Sequence, residues 1–174
     1  TVSINVMAPK VQSFAAEVQG HDVVLSWANY PCTNASALLV YRKAGCDGYE
    51  PDACETGIRQ GYQLVATLKD CSLTTFTDHD LPQGVEYEYR ILAQFPDGTL
   101  GIVSDAACVR LKNDSPLVTH VTNDSRDLVS GHVSICWARP KEIDDQYVAP
   151  FSYALSRILD GTTSVVYEDA DTCF

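Results

Sequence analysis

Residues 81–94 limit the possible folds more than any other stretch. They read Leu-Pro-Gln-Gly-Val-Glu-Tyr-Glu-Tyr-Arg-Ile-Leu-Ala-Gln. Pro82 and Gly84 make a corner. Val85, Tyr87, Tyr89, Ile91 and Ala93 then alternate with Glu86, Glu88, Arg90 and Leu92. Period-two alternation after a turn predicts a strand with one face buried. Tyr87, three residues past the turn glycine, predicts a tyrosine corner, its phenol packed inward and its hydroxyl capping nearby backbone.

The rest of the chain repeats this grammar. Residues 1–8 alternate Val2, Ile4 and Val6 against Ser3 and Asn5, and Pro9 stops them. Strands are expected over 11–18, over 23–27 ending on Trp27, and over 37–42 with Leu39 and Tyr41 on one face. Residues 43–61 are long for a hairpin connection and need a staple, which Cys46 and Cys54 within it can supply. Further strands fall at 63–68, 74–78 and 102–111, and Phe95-Pro96-Asp97-Gly98-Thr99 is a turn with Asp-Gly at its tip. Seven short strands over about 100 residues predict an all-β, Ig-like sandwich.

The pattern then restarts. Gly20-His21 leads to Trp27, and Gly131-His132 leads to Trp137. Pro9-Lys10-Val11 is echoed by Pro116-Leu117-Val118. The expected layout is a last strand of a preceding module or an N-terminal extension (1–8), a complete module (9–112), and the N-terminal part of a second (113–174). An incomplete sandwich leaves strand edges and apolar faces open. Continuation of the polypeptide in a longer array is the favoured expectation. Completion by a neighbouring molecule, as self-association through open strand edges, is the alternative.

Trp27, Trp137, Tyr41 and Tyr87, with the corner at Leu81, resemble the fold-defining positions of fibronectin type III modules. The resemblance implies tandem β-sandwiches, the second incomplete. The runs Tyr30-Pro31-Cys32-Thr33-Asn34-Ala35, Tyr41-Arg42, Cys54-Glu55-Thr56-Gly57 and Phe95-Pro96-Asp97-Gly98 are similar to tandem modules of large Bacteroidetes surface proteins. Those proteins are exported by type IX secretion and often carry a gliding-motility-type sorting domain, which has no counterpart here. In such modules a cysteine often stands where Glu88 is and pairs with the next strand's cysteine. The resemblance therefore leaves Cys108 without its partner. It also places Cys32 and Cys71 at one end of the sandwich, and Cys136 and Cys173 on neighbouring strands of the second module. The candidate bridges are Cys46–Cys54, Cys32–Cys71 and Cys136–Cys173, the alternative being that some of these cysteines are reduced core thiols.

Composition narrows the function classes. A net charge of −11 without a basic run argues against nucleic acid and against anionic membranes. No apolar run has the length of a membrane helix. Seven cysteines without a C-x-x-C pair favour disulfides, an oxidising compartment and export, which would need a leader removed or lying upstream. The four histidines lack metal spacing, and no nucleophile elbow, phosphate loop or dinucleotide fingerprint occurs. Sequons stand at Asn34, Asn113 and Asn123. No cofactor and no catalysis are expected.

The expected role is a non-catalytic spacer and interaction module of a larger secreted or cell-surface, adhesin-like protein. Its partner would be a protein or glycan at the cell surface. The expected contact loops are those around Asn34 and around Asp97 and Gly98, with the Cys46–Cys54 loop carrying Tyr49 at the other end. Tyr30 and Tyr49 are the aromatics offered to a glycan. The alternative is a carbohydrate- or protein-binding accessory domain of an exported hydrolase.

Overall fold

The computed structural model describes residues 8–52, 55–125, 127, 131–143 and 150–174. The chain forms two compact units, Thr1–Leu111 and Lys112–Phe174. Every regular element among the described residues is a strand.

The first unit contains β1 (Ala15–Gln19), β2 (Asp22–Ser26), β3 (Ala37–Ala44), β4 (Gln63–Leu68), β5 (Thr75–Asp78), β6 (Glu86–Gln94) and β7 (Ala107–Arg110). They form two antiparallel sheets, ordered β1-β2-β5 and β4-β3-β6-β7. This is the fibronectin type III, Ig-like sandwich. Alternation builds the core: Val23, Leu25 and Trp27 from one sheet meet Leu38, Val40, Tyr87, Tyr89 and Ile91 from the other. Trp27 is 5% exposed.

Several expectations are corrected. The first strand of the sandwich begins at Ala15 rather than at 11, because Ser13 adopts φ 56° and breaks the extended run. Val11 still drops into the core. The expected strand at 1–8 lies, except for Ala8, outside the described residues. The run 102–111 contributes only Ala107–Arg110 as β7. Before it, Ser104 inserts its hydroxyl between the Ile91 N–H (3.0 Å) and the Asp105 carbonyl (2.8 Å).

The corner also differs in detail. Tyr87 is buried, but its described contacts are of the ring, with Tyr89 and with Arg42 5.4 Å from its centroid. The inward hydroxyl that is bonded is that of Tyr89, which donates to Asp78 at 2.9 Å. Arg42 points inward and meets the same carboxylate at 2.7 Å. Its neighbour Tyr41 faces outward and packs beside Ala37, Leu39 and Leu92.

The largest departure is at β6, which is buried on both faces. The connection after β3 is not a free loop but a strap across the outer face of the four-stranded sheet. Thr56 bridges to Ile102, and the Gly57 N–H donates to the Gly101 carbonyl at 3.3 Å. Beneath the strap, Ile58 and Leu100 close over Ala37, Leu39, Leu92 and Val103 as a second small core.

The second unit contains β8 (Leu117–Ser125), β9 (His132–Ala138), β10 (Tyr153–Leu159) and β11 (Thr162–Asp169), paired as two hairpins. Residues 172–174 run along β9 through reciprocal Ile135 and Phe174 backbone bonds. Trp137, 7% exposed, sits edge-on to Tyr153 at 5.7 Å and to Tyr167 at 5.9 Å. Of the twelve large apolar side chains exposed among the described residues, ten belong to this unit, Ile158 being 72% exposed. In the first unit β3 has β6 along one edge and β4 along the other; among the described residues β10 has only β11.

Candidate functional site

A cleft of about 1090 Å³ opens at one end of the first unit. Four chain segments converge on it, one of them Ala8 and Pro9 ahead of the first strand. The loop between β2 and β3 supplies Cys32 and Asn34, the turn between β6 and β7 supplies Phe95, Asp97 and Leu100, and the strap supplies Thr56. Each is fixed by local chemistry. Ser36 donates its N–H (2.8 Å) and its hydroxyl (3.0 Å) to the Gln94 carbonyl, tying the first loop to the turn. Asp97 accepts from the N–H (3.0 Å) and the hydroxyl (2.7 Å) of Thr99, and these bonds hold its carboxyl below the usual range. Gly98 takes φ 84° to close the turn. Gly57 also takes φ 84°, a backbone conformation that L side chains rarely adopt, and packs beside Leu100.

The cleft is lined by apolar side chains with Asn34, Asp97, Thr56 and Thr99 at intervals, and among the described residues no Lys or Arg lines it. Asn34 and Asp97 are thus brought together, with Gly98 at the tip of the same turn. Tyr30 is not available: it is buried, its hydroxyl donates to the Pro9 carbonyl at 3.0 Å, and burial pushes its phenol well up.

Tyr49 lies elsewhere, on the strap above a buried ion pair. Glu88 is 0% and Arg90 1% exposed. Arg90 donates to Glu88 Oε1 at 2.8 Å, to the Tyr62 hydroxyl at 2.9 Å, to the Ser104 carbonyl at 3.0 Å and to the Tyr49 carbonyl. Glu88 also accepts from the Tyr62 hydroxyl and stands 3.4 Å from Lys43 Nζ. Burial drives the Glu88 carboxyl up, but Tyr62, Arg90 and Lys43 outweigh it and hold it below its ordinary value. The strap is therefore fastened at mid-sheet by charge and over the second small core by apolar packing.

The cysteines are paired differently from the sequence expectation. Cys46 bonds Cys108, and Cys54, its expected partner, lies outside the described residues. Cys108 is thus not orphaned. The register explains the pairing: Lys43, Glu88 and Cys108 lie side by side across β3, β6 and β7. Cys46, just beyond the end of β3, steps over Glu88 to reach Cys108, with 6.1 Å between their Cα atoms. Cys136 bonds Cys173 from adjacent backbone positions. Cys32 and Cys71 are both unbonded and half-buried. The Cys71 thiol faces the Ala35 carbonyl at 3.6 Å and that of Cys32 meets Tyr30, so the expected Cys32–Cys71 bridge is absent. Cys46, Glu88 and Cys108 form the one metal-type cluster among the described residues, and its two sulfurs are spent on each other.

Sequence reasoning missed Thr56 and Gly57 at the cleft, and the Glu88–Arg90 pair. Glu88 and Arg90 occupy the polar positions of an alternating strand, which ordinarily face water. The only available signal was the length of the connection after β3.

No protein-family model matches the chain, and no curated protein matches it. Among solved structures it is similar to a Fn3-like protein from Clostridium thermocellum, at 21% identity over 58% of this chain and 90% of that one, with a TM-score of 0.41. It is also similar to the twitchin kinase region of C. elegans, at 17% identity over 59% of this chain and 17% of that one, again with a TM-score of 0.41. At these values the fold rests on the strand order described above, and no activity is carried across. Among the described residues no helix is long and apolar enough to cross a membrane.

Proposed function

We propose that the chain is a non-catalytic interaction and spacer module of an exported or cell-surface protein, adhesin-like in use, and that it binds a protein partner in the end cleft. The observation that carries this reading is the convergence of four separately anchored segments on one cleft. Loops held by a rigid sandwich are the usual way such scaffolds present a contact surface. The mixture of Phe95, Pro96 and Leu100 with Asn34 and Asp97 resembles an apolar interface centre with polar groups at its margin. The two disulfides suit an oxidising compartment. The motif likeness to Bacteroidetes surface proteins makes type IX export the route we favour.

The test is affinity capture from a cell-envelope fraction with the full chain, followed by titration of the captured partner. Asn34→Ala, Phe95→Ala and Asp97→Ala should each weaken binding, by about tenfold for the strongest. Glu17→Ala, on the opposite sheet, should not. Equal binding by all four would end the reading.

A further inference from the structure

A second concavity, of about 270 Å³, lies on the strap side of the first unit. Lys43, Asp47, Tyr49, Arg59, Gln60 and Tyr62 line it. It is separate from the end cleft and shares no lining residue with it.

Its cations are held in place before any ligand arrives. Lys43 Nζ is fixed by Asp47 at 2.7 Å and by Glu88 at 3.4 Å, and sits 4.9 Å from the centre of the Tyr62 ring. The Arg59 guanidinium lies 3.6 Å from the centre of the Tyr49 ring. Among the described residues no carboxylate lies within ion-pair distance of Arg59, although acidic residues outnumber basic ones 23 to 12. The Glu55 carboxylate is bound to the Tyr49 hydroxyl and acts on Arg59 only from beyond ion-pair distance, and a planar fork held by stacking, exposed and with no carboxylate bonded to it, is suited to receive one from outside.

The floor points the same way. A buried ion pair is a weak means of fastening a strap, since apolar side chains of the same volume often hold as well or better. It is a good means of fixing polar side chains above it. Arg90 grips the Tyr49 carbonyl, Glu88 grips Tyr62 and Lys43, and the Cys46–Cys108 bridge ties the residue before Asp47 to β7. Precise support beneath polar surface groups is what a binding site requires.

The lining selects the ligand class. Asp47 would repel a bare carboxylate but accepts hydrogen bonds from hydroxyls, and the Gln60 amide both donates and accepts. A ligand that presents one carboxylate and several hydroxyls satisfies the whole set; an acidic peptide side chain does not. The volume is just under the range of about 300–1,000 Å³ usual for small-molecule pockets, so it takes a single ring. We propose that this pocket binds a hexuronic acid unit of an acidic glycan, with Arg59 on its carboxylate and Asp47 and Gln60 on its hydroxyls.

The test is calorimetric titration of the full chain with trigalacturonic acid, its methyl ester and glutarate. The acid should bind, and the ester should bind at least about tenfold more weakly, the loss expected for one charge-assisted contact. Arg59→Gln should lose a similar factor with an unchanged melting temperature, because its side chain is exposed. Asn34→Ala and Asp97→Ala should bind the acid as the parent does, which separates this site from the end cleft. No heat of binding up to about 10 mM, equal binding of acid and ester, or an unaffected Arg59→Gln variant would overturn the proposal. Glutarate binding as tightly as the sugar would overturn it in favour of an acidic peptide.

Discussion

Replacing Arg90 by Met probes the strap at its centre. The substitution removes a guanidinium that is 1% exposed and leaves Glu88, 0% exposed, with Tyr62, Lys43 and the Asp47 N–H at 3.4 Å. Breaking one side of a buried ion pair typically destabilises by about 3–5 kcal/mol. The Tyr49 and Ser104 carbonyls also lose a donor. With a urea m-value of about 2 kcal/mol/M, the midpoint should fall by about 2 M. Lys10→Met breaks the exposed pair with Asp105 (2.7 Å) and should change stability by no more than about 1 kcal/mol. The double variant Glu88→Leu/Arg90→Met removes both charges and should recover most of the loss. The assay is urea unfolding in a Trp137→Phe background, so that Trp27 alone reports on the first unit. A loss below about 1 kcal/mol for Arg90→Met, or a double variant no better than the single one, would refute the reading that the loss is the cost of leaving Glu88 buried without its partner.

Three other outcomes follow from the same coordinates. Cys46 and Cys108 are 62 residues apart, so the Cys46→Ala/Cys108→Ala variant should lose about 4 kcal/mol in denaturant unfolding; a loss under about 1 kcal/mol would contradict it. Glu88 is held below its ordinary pKa, so its share of stability is complete above about pH 4.3, the unfolded value, and is lost as pH falls through its folded value. Acid titration of stability should therefore be shallower below about pH 4.3 for Glu88→Gln than for the parent, and parallel curves would count against it. The apolar side chains exposed in the second unit should bind a hydrophobic dye and promote concentration-dependent association, whereas residues 8–111 alone should do neither; dye binding confined to the first unit would reverse that assignment.

Much of the sandwich was legible because its signals are local. The alternation from Val85 to Ala93, the turn at Asp97-Gly98 and the Gly-His-to-Trp repeat are each set by neighbours in sequence. The corrections share a cause of the opposite kind. Glu88 and Arg90 look like a solvent face because alternation reports only which residues share a side, not what covers it. Cys46 and Cys54 look like a local staple because they share a loop, whereas pairing follows three-dimensional register. Cys108 stands beside Glu88, and Lys43 beside Glu88 on its other flank, so the end of β3 delivers Cys46 there. The cleft was half legible. Asn34 and Asp97 sit in segments with turn chemistry, but Thr56 arrives only through the path of the strap. The second pocket was represented in the sequence by Tyr49 alone, and Arg59 became visible once that ring had a position.

The strap covering a second face of the sheet is the claim on which the rest depends, and its disulfide tests it most directly. Trypsin cuts after Lys43, Arg59, Arg90 and Arg110, releasing peptides 44–59 and 91–110. In a non-reducing digest analysed by mass spectrometry, these two should appear as one species joined through Cys46 and Cys108, with Cys32 and Cys71 alkylated. A peptide 44–59 closed on itself through Cys46 and Cys54, beside a peptide 91–110 with an alkylated Cys108, would contradict it.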